Sequence, residues 1–84
     1  MFEVMSQQQS SLRLQRIDVT KNMARYYALS IQPTLFGQTS LVRAWGRIGT
    51  RGKEIVHMFE REQDAIALLR KIAERKLKKG YSVK

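Results

Sequence analysis

No cysteine occurs in the 84 residues, which excludes disulfide staples and thiolate metal sites. The one histidine, His57, leaves no basis for a histidine-rich metal centre, and no metal or other cofactor is expected. Acidic residues are few: 7 Asp and Glu stand against 16 Lys and Arg. Proline occurs once and tryptophan once. No apolar run approaches the ~18 residues that span a bilayer. Met1 to Met5 carry neither a basic leader nor an apolar stretch of signal-peptide length. The expectation is a soluble intracellular protein with no membrane partner.

What the chain does have is positive charge. A formal net charge of +9 favours an anionic partner, either nucleic acid or an acidic protein surface. Hydrophobic content of 43% supports a globular fold, and 84 residues allow a single domain with a compact core. Residues 1–11 are polar, glutamine-rich and aperiodic, which predicts a disordered tail ahead of one domain at 12–84. Met5 is a second candidate start.

Four strand-like segments follow. Leu12 to Val19 alternates, but its apolar positions change parity between Leu14 and Ile17, which predicts a bulge or a turn. Asp18 to Met23 reads as a connection. Arg25 to Ile31 is the clearest strand, with Tyr27, Leu29 and Ile31 on one face. Gln32 to Thr39 is a loop whose Leu35 and Phe36 are expected to fold back onto the core. Ser40 to Ile48 and Lys53 to Phe59 form a hairpin around the turn Gly49-Thr50-Arg51-Gly52. The second of these strands is apolar on both parities and has no evident orientation.

Glu60 to Lys79 reads as a helix, with Ile66, Leu69, Ala73 and Leu77 as its apolar stripe and Ala65, Leu68 and Ile72 flanking it. Its acids gather at the start and its bases at the end, which complements the macrodipole. Gly80 is the expected C-terminal cap, and no side-chain N-cap is evident. The predicted fold class is α+β: a small antiparallel sheet with one C-terminal helix packed across it.

The segment Leu41-Val42-Arg43-Ala44-Trp45-Gly46-Arg47-Ile48 carries the chemistry. Strand alternation puts Val42, Ala44, Gly46 and Ile48 on one face, small and apolar as a core requires. Arg43, Trp45 and Arg47 take the other face with Leu41, and unpaired arginines are costly to bury. That face is therefore expected to be open, with the indole exposed between two phosphate-pairing forks. Gly46 predicts a bulge or a close backbone approach. Arg51 and Lys53 extend the positive charge to the hairpin tip. The loop Gly49-Thr50-Arg51-Gly52-Lys53 is not a phosphate-binding P-loop, since its spacing is wrong and Glu54 follows the lysine. His57 has no acid or second histidine at triad spacing and reads as structural.

Trp45-Gly46-Arg47-Ile48-Gly49 resembles the signature of the WGR domain. The likeness extends to Arg25-Tyr26-Tyr27 with Ser30-Ile31-Gln32, and to Asp64-Ala65 and Lys79-Gly80-Tyr81 in the helical part. It covers Leu12 to Tyr81 and looks most similar to small stand-alone bacterial WGR proteins, which implies the bacterial cytoplasm. In poly(ADP-ribose) polymerases, WGR domains bind DNA at strand breaks. There the motif tryptophan packs on a sugar near the DNA end, and the motif arginine couples DNA to neighbouring domains. The resemblance implies stacking by Trp45, close approach at Gly46 and a polar contact by Arg47. Those polymerases carry an asparagine just before the paired aromatics. Here Ala24 precedes Arg25-Tyr26-Tyr27, and Asn22 stands two residues earlier.

The resulting expectation is a non-catalytic nucleic-acid-binding module, with DNA as the first candidate, since 84 residues hold no ADP-ribosyl transferase domain. Trp45, Gly46 and Arg47 form its centre, Arg43, Arg51, Lys53 and Arg25 supply phosphate contacts, and Lys76, Lys79 and Tyr81 are further candidates. Nothing points to base readout. About five phosphate contacts give an expected slope of roughly −4 to −5 for log K against log salt on duplex DNA. The alternative is an adaptor docking the same Trp/Arg face onto an acidic protein, with Trp and Arg as interface anchors.

Overall fold

The computed structural model describes residues 11–34 and 36–84. Strands β1 (Ser11–Asp18), β2 (Met23–Pro33), β3 (Thr39–Arg47) and β4 (Lys53–Phe59) precede helix α1 (Glu62–Lys78), and a short β5 (Ser82–Val83) closes the chain. They form one antiparallel five-stranded sheet in the order β4-β3-β2-β1-β5. This is the expected α+β class, with β5 added at the edge beside β1. The expected tail lies outside the described residues except for Ser11, which begins β1.

Local chemistry sets the first reversal. Asp18 is extended and its carboxylate accepts from Thr20 N at 3.1 Å and Thr20 Oγ1 at 2.6 Å, capping a single 3₁₀ turn at Val19–Lys21. Asn22 then takes a left-handed conformation (φ 51°), which an asparagine tolerates better than most residues. From Ser11↔Ser30 to Asp18↔Met23 the β1–β2 register never slips, so the expected bulge is absent. The parity change has a simpler cause: Ile17 points to the side away from the helix and is 61% exposed.

Helix α1 covers one face of the sheet. Leu14, Leu29 and Leu41 are fully buried there, with Tyr27, Ile31, Ala65, Ile72 and Ala73 around them. Burying one such leucine contributes about 2 kcal/mol. Tyr27, Leu29 and Ile31 share a face as expected, and the register fixes the rest. Tyr27 pairs with Trp45, and Leu29 with Arg43, so Leu41, Arg43 and Trp45 lie on the helix side. This corrects the expected assignment of β3. Val42, Ala44 and Gly46 occupy the uncovered face, and Trp45 packs half-buried against the core. Gly46 causes no bulge, and Ile48 lies beyond the strand. β4 is oriented by the same ladder, with Lys53, Ile55, His57 and Phe59 on the helix side.

The helix begins at Arg61 without a side-chain cap, relying on Glu62 and Asp64 in its first turn. Its buried stripe is rotated from the expected one: Ala65, Ile72 and Ala73 are buried, whereas Leu77 is 45% exposed. Gly80 (φ 101°) ends it as expected. Gly80 N donates to Leu77 O at 3.1 Å and Tyr81 N to Lys76 O at 3.1 Å, the two bonds of a Schellman motif. The loop after β2 departs from expectation, since Phe36 is 89% exposed rather than folded onto the core. Leu35 lies outside the described residues.

Candidate nucleic-acid interface

Where β2 begins and β3 ends, the helix-side face carries Tyr27 and Trp45 as a directly opposed cross-strand pair. Their rings stack at 5.7 Å with 10° between planes, an offset aromatic pair. One register step outward, Arg25 is opposite Arg47 at the end of the sheet, and both are exposed. The C-terminal turn of α1 brings Lys76 above, and the left-handed turn at Gly80 folds Tyr81 in beside it. Together with Tyr26 and Gly46 these residues line an open cleft of about 420 Å³. Its side chains are aromatic or cationic, and no acid lines it.

Lys76 is the least expected member. It follows Ala65, Leu69 and Ile72 at spacings of four, three and four, so it takes the place of the next apolar residue on the buried stripe. Its ammonium lies 4.6 Å from the Tyr27 ring centroid and 5.6 Å from that of Tyr81. Cation–π attraction offsets part of the lost hydration. Burial first, then repulsion from Lys79, Arg43, Arg75 and Arg25, lowers its pKa below the ordinary lysine value. An arriving anion would relieve that repulsion.

Arg43 stands behind the aromatic floor. Its Nε donates to Tyr27 Oη at 2.9 Å, and its Nη1 lies 3.2 Å from His57 Nε2. Arginine only donates, so Nε2 accepts and the ring proton sits on Nδ1. Two of the Arg43 donors are thus engaged within the fold, one on Tyr27 and one on His57. Arg47 is held differently: Nη1 donates to Asn22 O at 3.2 Å and Nη2 to Asn22 Oδ1 at 3.4 Å.

Gly46 and Gly52 let the hairpin tip fold tightly. A Cβ on Gly46 would come within 2.8 Å of Gly52 Cα, so the expected close backbone approach is real and intramolecular. Tyr26 Oη donates to Arg51 O at 2.6 Å, and Arg13 lies 4.6 Å over the Tyr26 ring. Tyr26, on the uncovered face, is thereby buried to 6%.

Of the sequence candidates, the cleft gathers Trp45, Gly46, Arg47, Arg25, Lys76 and Tyr81. Arg43, Arg51, Lys53 and Lys79 do not line it. Arg51 is drawn to the hairpin tip, Lys53 lies at the β4 edge opposite Trp45, and Lys79 is exposed past the helix end. The indole is not the freely outward ring that alternation implied; it is a half-buried floor. Tyr27 was hidden among core candidates, and the only signal for it was its register opposite Trp45. Among the described residues, no cluster of three or more His, Asp or Glu is placed to hold a metal ion, and no helix is long and apolar enough to cross a membrane.

An open antiparallel sheet with one helix, an aromatic-floored cationic cleft and a Trp-Gly-Arg strand end define a small basic α+β module. The chain belongs to the WGR domain family, whose pattern it matches over residues 10–84. It is similar to an uncharacterized protein, y4dW, of Sinorhizobium fredii (strain NBRC 101917 / NGR234), with 48% identity over 79 residues. That match covers 94% of this chain and 39% of the relative, so the chain spans well under half of that protein's length. No solved structure matches the chain.

Proposed function

We propose that the chain is a non-catalytic nucleic-acid-binding module, with DNA as its first ligand, that seats a sugar-phosphate unit in the cleft. The observation that carries this reading is the acid-free set of Arg25, Arg47 and Lys76 around the stacked Tyr27–Trp45 floor. Guanidinium forks suit phosphate oxygens, and an aromatic ledge suits a sugar or an unstacked base. The cleft presents no carboxylate, and we read Lys76 and its tyrosines as binding groups, so binding is the whole of the proposed activity. None of its groups is arranged to read base edges, which makes recognition a matter of charge and strand geometry.

The test is a titration of blunt-ended, nicked, closed-circular and single-stranded DNA at two salt concentrations, comparing wild type with Arg47→Ala. Three gathered cations, rather than the five first expected, give a slope of roughly −3 for log K against log salt on duplex DNA. Arg47→Ala is expected to weaken binding to every form and flatten that slope. Equal affinity of wild type and variant for all four forms would refute the reading and leave an acidic protein surface as the ligand of these cations.

A further inference from the structure

The sheet has a second face that sets Ser11, Gln15, Ser30, Gln32 and Ser40 around an apolar strip. A sheet face left open in an antiparallel fold is ordinarily polar. Here Ala28, Ala44 and Val42 occupy its middle, while Val56 and Met58 on β4 are 52% and 50% exposed. Among the described residues only the hairpin tip at Gly49–Gly52 folds onto it, covering Tyr26 and Gly46 at one end, and no helix or strand packs over the rest. Within the four long strands its charged residues are Arg13 and Glu54, so this face is neutral on a chain of net charge +9. The positive charge of the sheet lies instead on the helix side, in Arg16, Arg25, Arg43, Arg47 and Lys53.

The two charges stand in one cross-sheet row. Arg13 pairs with Ala28, Ala28 with Ala44, and Ala44 with Glu54. Three strand spacings of about 4.8 Å separate them, too far for an ion pair within one molecule. A row that reads plus, small, small, minus is complementary to its own reverse. A two-fold axis lying between two such sheets, along the strands and between β2 and β3, sets β1 of one copy over β4 of the other. Arg13 of each copy then stands over Glu54 of the other, and the alanines meet in the middle, where aligned sheets pack closest.

We propose that this uncovered sheet face is a self-association surface, its occupant a second copy of the chain held by two reciprocal Arg13–Glu54 pairs around an alanine centre, flanked by Val42 of each copy over Ser30 of the other. The Arg13 guanidinium carbon already lies 4.6 Å over the Tyr26 ring, on the interface side of the sheet. The basic clefts of the two copies face outward, away from the junction, so their repulsion acts at long range and is screened at physiological salt. This surface is separate from the cleft, and the proposal holds or fails independently of nucleic-acid binding.

Sedimentation equilibrium of the 84-residue chain without nucleic acid, at about 0.15 M salt and from about 1 to 500 µM protein, tests it. A monomer–dimer equilibrium is expected. Glu54→Lys, an exposed position, should raise the dimer dissociation constant at least ~10-fold, with an unchanged melting curve at concentrations where wild type is monomeric. The charge swap Arg13→Glu with Glu54→Lys should restore it to within about threefold of wild type. A chain that stays monomeric throughout, a dimer indifferent to Glu54→Lys, or a swap that fails to restore association would each overturn the proposal.

Discussion

Asn22 grips Arg47 twice, through its backbone carbonyl at 3.2 Å and its side-chain oxygen at 3.4 Å, from a left-handed position at φ 51°. The asparagine displaced by two residues from the polymerase pattern thus still reaches the motif arginine. Asn22→Gly keeps the turn and the carbonyl contact, so it should melt close to wild type. Asn22→Ala must hold alanine at positive φ and should lose about 1 kcal/mol. Thermal melts of the two variants check the order, and equal melting would show that the turn is unstrained.

Arg25 and Arg47 are exposed at the end of the sheet, where the core does not depend on them. Each Arg→Ala change should leave stability within about 0.5 kcal/mol. Each should reduce the salt slope of duplex binding by about one unit. Trp45→Ala should behave otherwise: it removes a half-buried ring stacked on Tyr27, so stability and affinity fall together. Paired melting and binding curves distinguish these two patterns.

The half-buried position of Lys76 gives a pH signature. Its lowered pKa means that the folded chain releases this proton more readily than the unfolded chain does. Stability should therefore rise with pH across the window from the lowered folded value up to the ordinary lysine value. Anion affinity should move oppositely, falling as Lys76 loses its charge. Lys76→Arg keeps a cation well above that range, so its DNA affinity should persist to higher pH than that of wild type. Titrations at successive alkaline pH values would show the two curves separating.

The hairpin tip depends on Tyr26 and Gly52. Tyr26→Phe removes the donor to Arg51 O and should cost about 1 kcal/mol in urea denaturation. Gly52→Ala should cost more, because a Cβ there would press on the Trp45 carbonyl oxygen and come within 2.6 Å of Tyr26 Oη at φ 70°. If Gly52→Ala proved the milder change, the packing of the tip against β3 would be looser than described.

Much of this molecule is legible in its pattern. Tyr27, Leu29 and Ile31 announce a half-buried strand, β4 runs from Lys53 to Phe59 as read, and Gly80 ends the helix where its chemistry requires. The faces of β3 are not legible, because Val42-Ala44-Gly46 and Leu41-Arg43-Trp45 are both plausible cores. The cost of burying arginine pointed the wrong way: Arg43 finds Tyr27 and His57 as partners, and Arg47 lies at the sheet end, beyond the packed core. Lys76 reads as one more base in a basic helix end until the rotation of the stripe is known. β5 is two residues long and has no pattern to detect.

The reversal at Gly80 has a mechanical consequence. Beyond it, Ser82 and Val83 pair with Gln15 and Leu14, Lys84 N donates to Arg13 O at 2.9 Å, and Tyr81 packs against the edge of the leucine core. One rim of the cleft is thus pinned from three sides, by the helix end through Lys76 O, by the core and by the β1 edge, so its width is set by the fold.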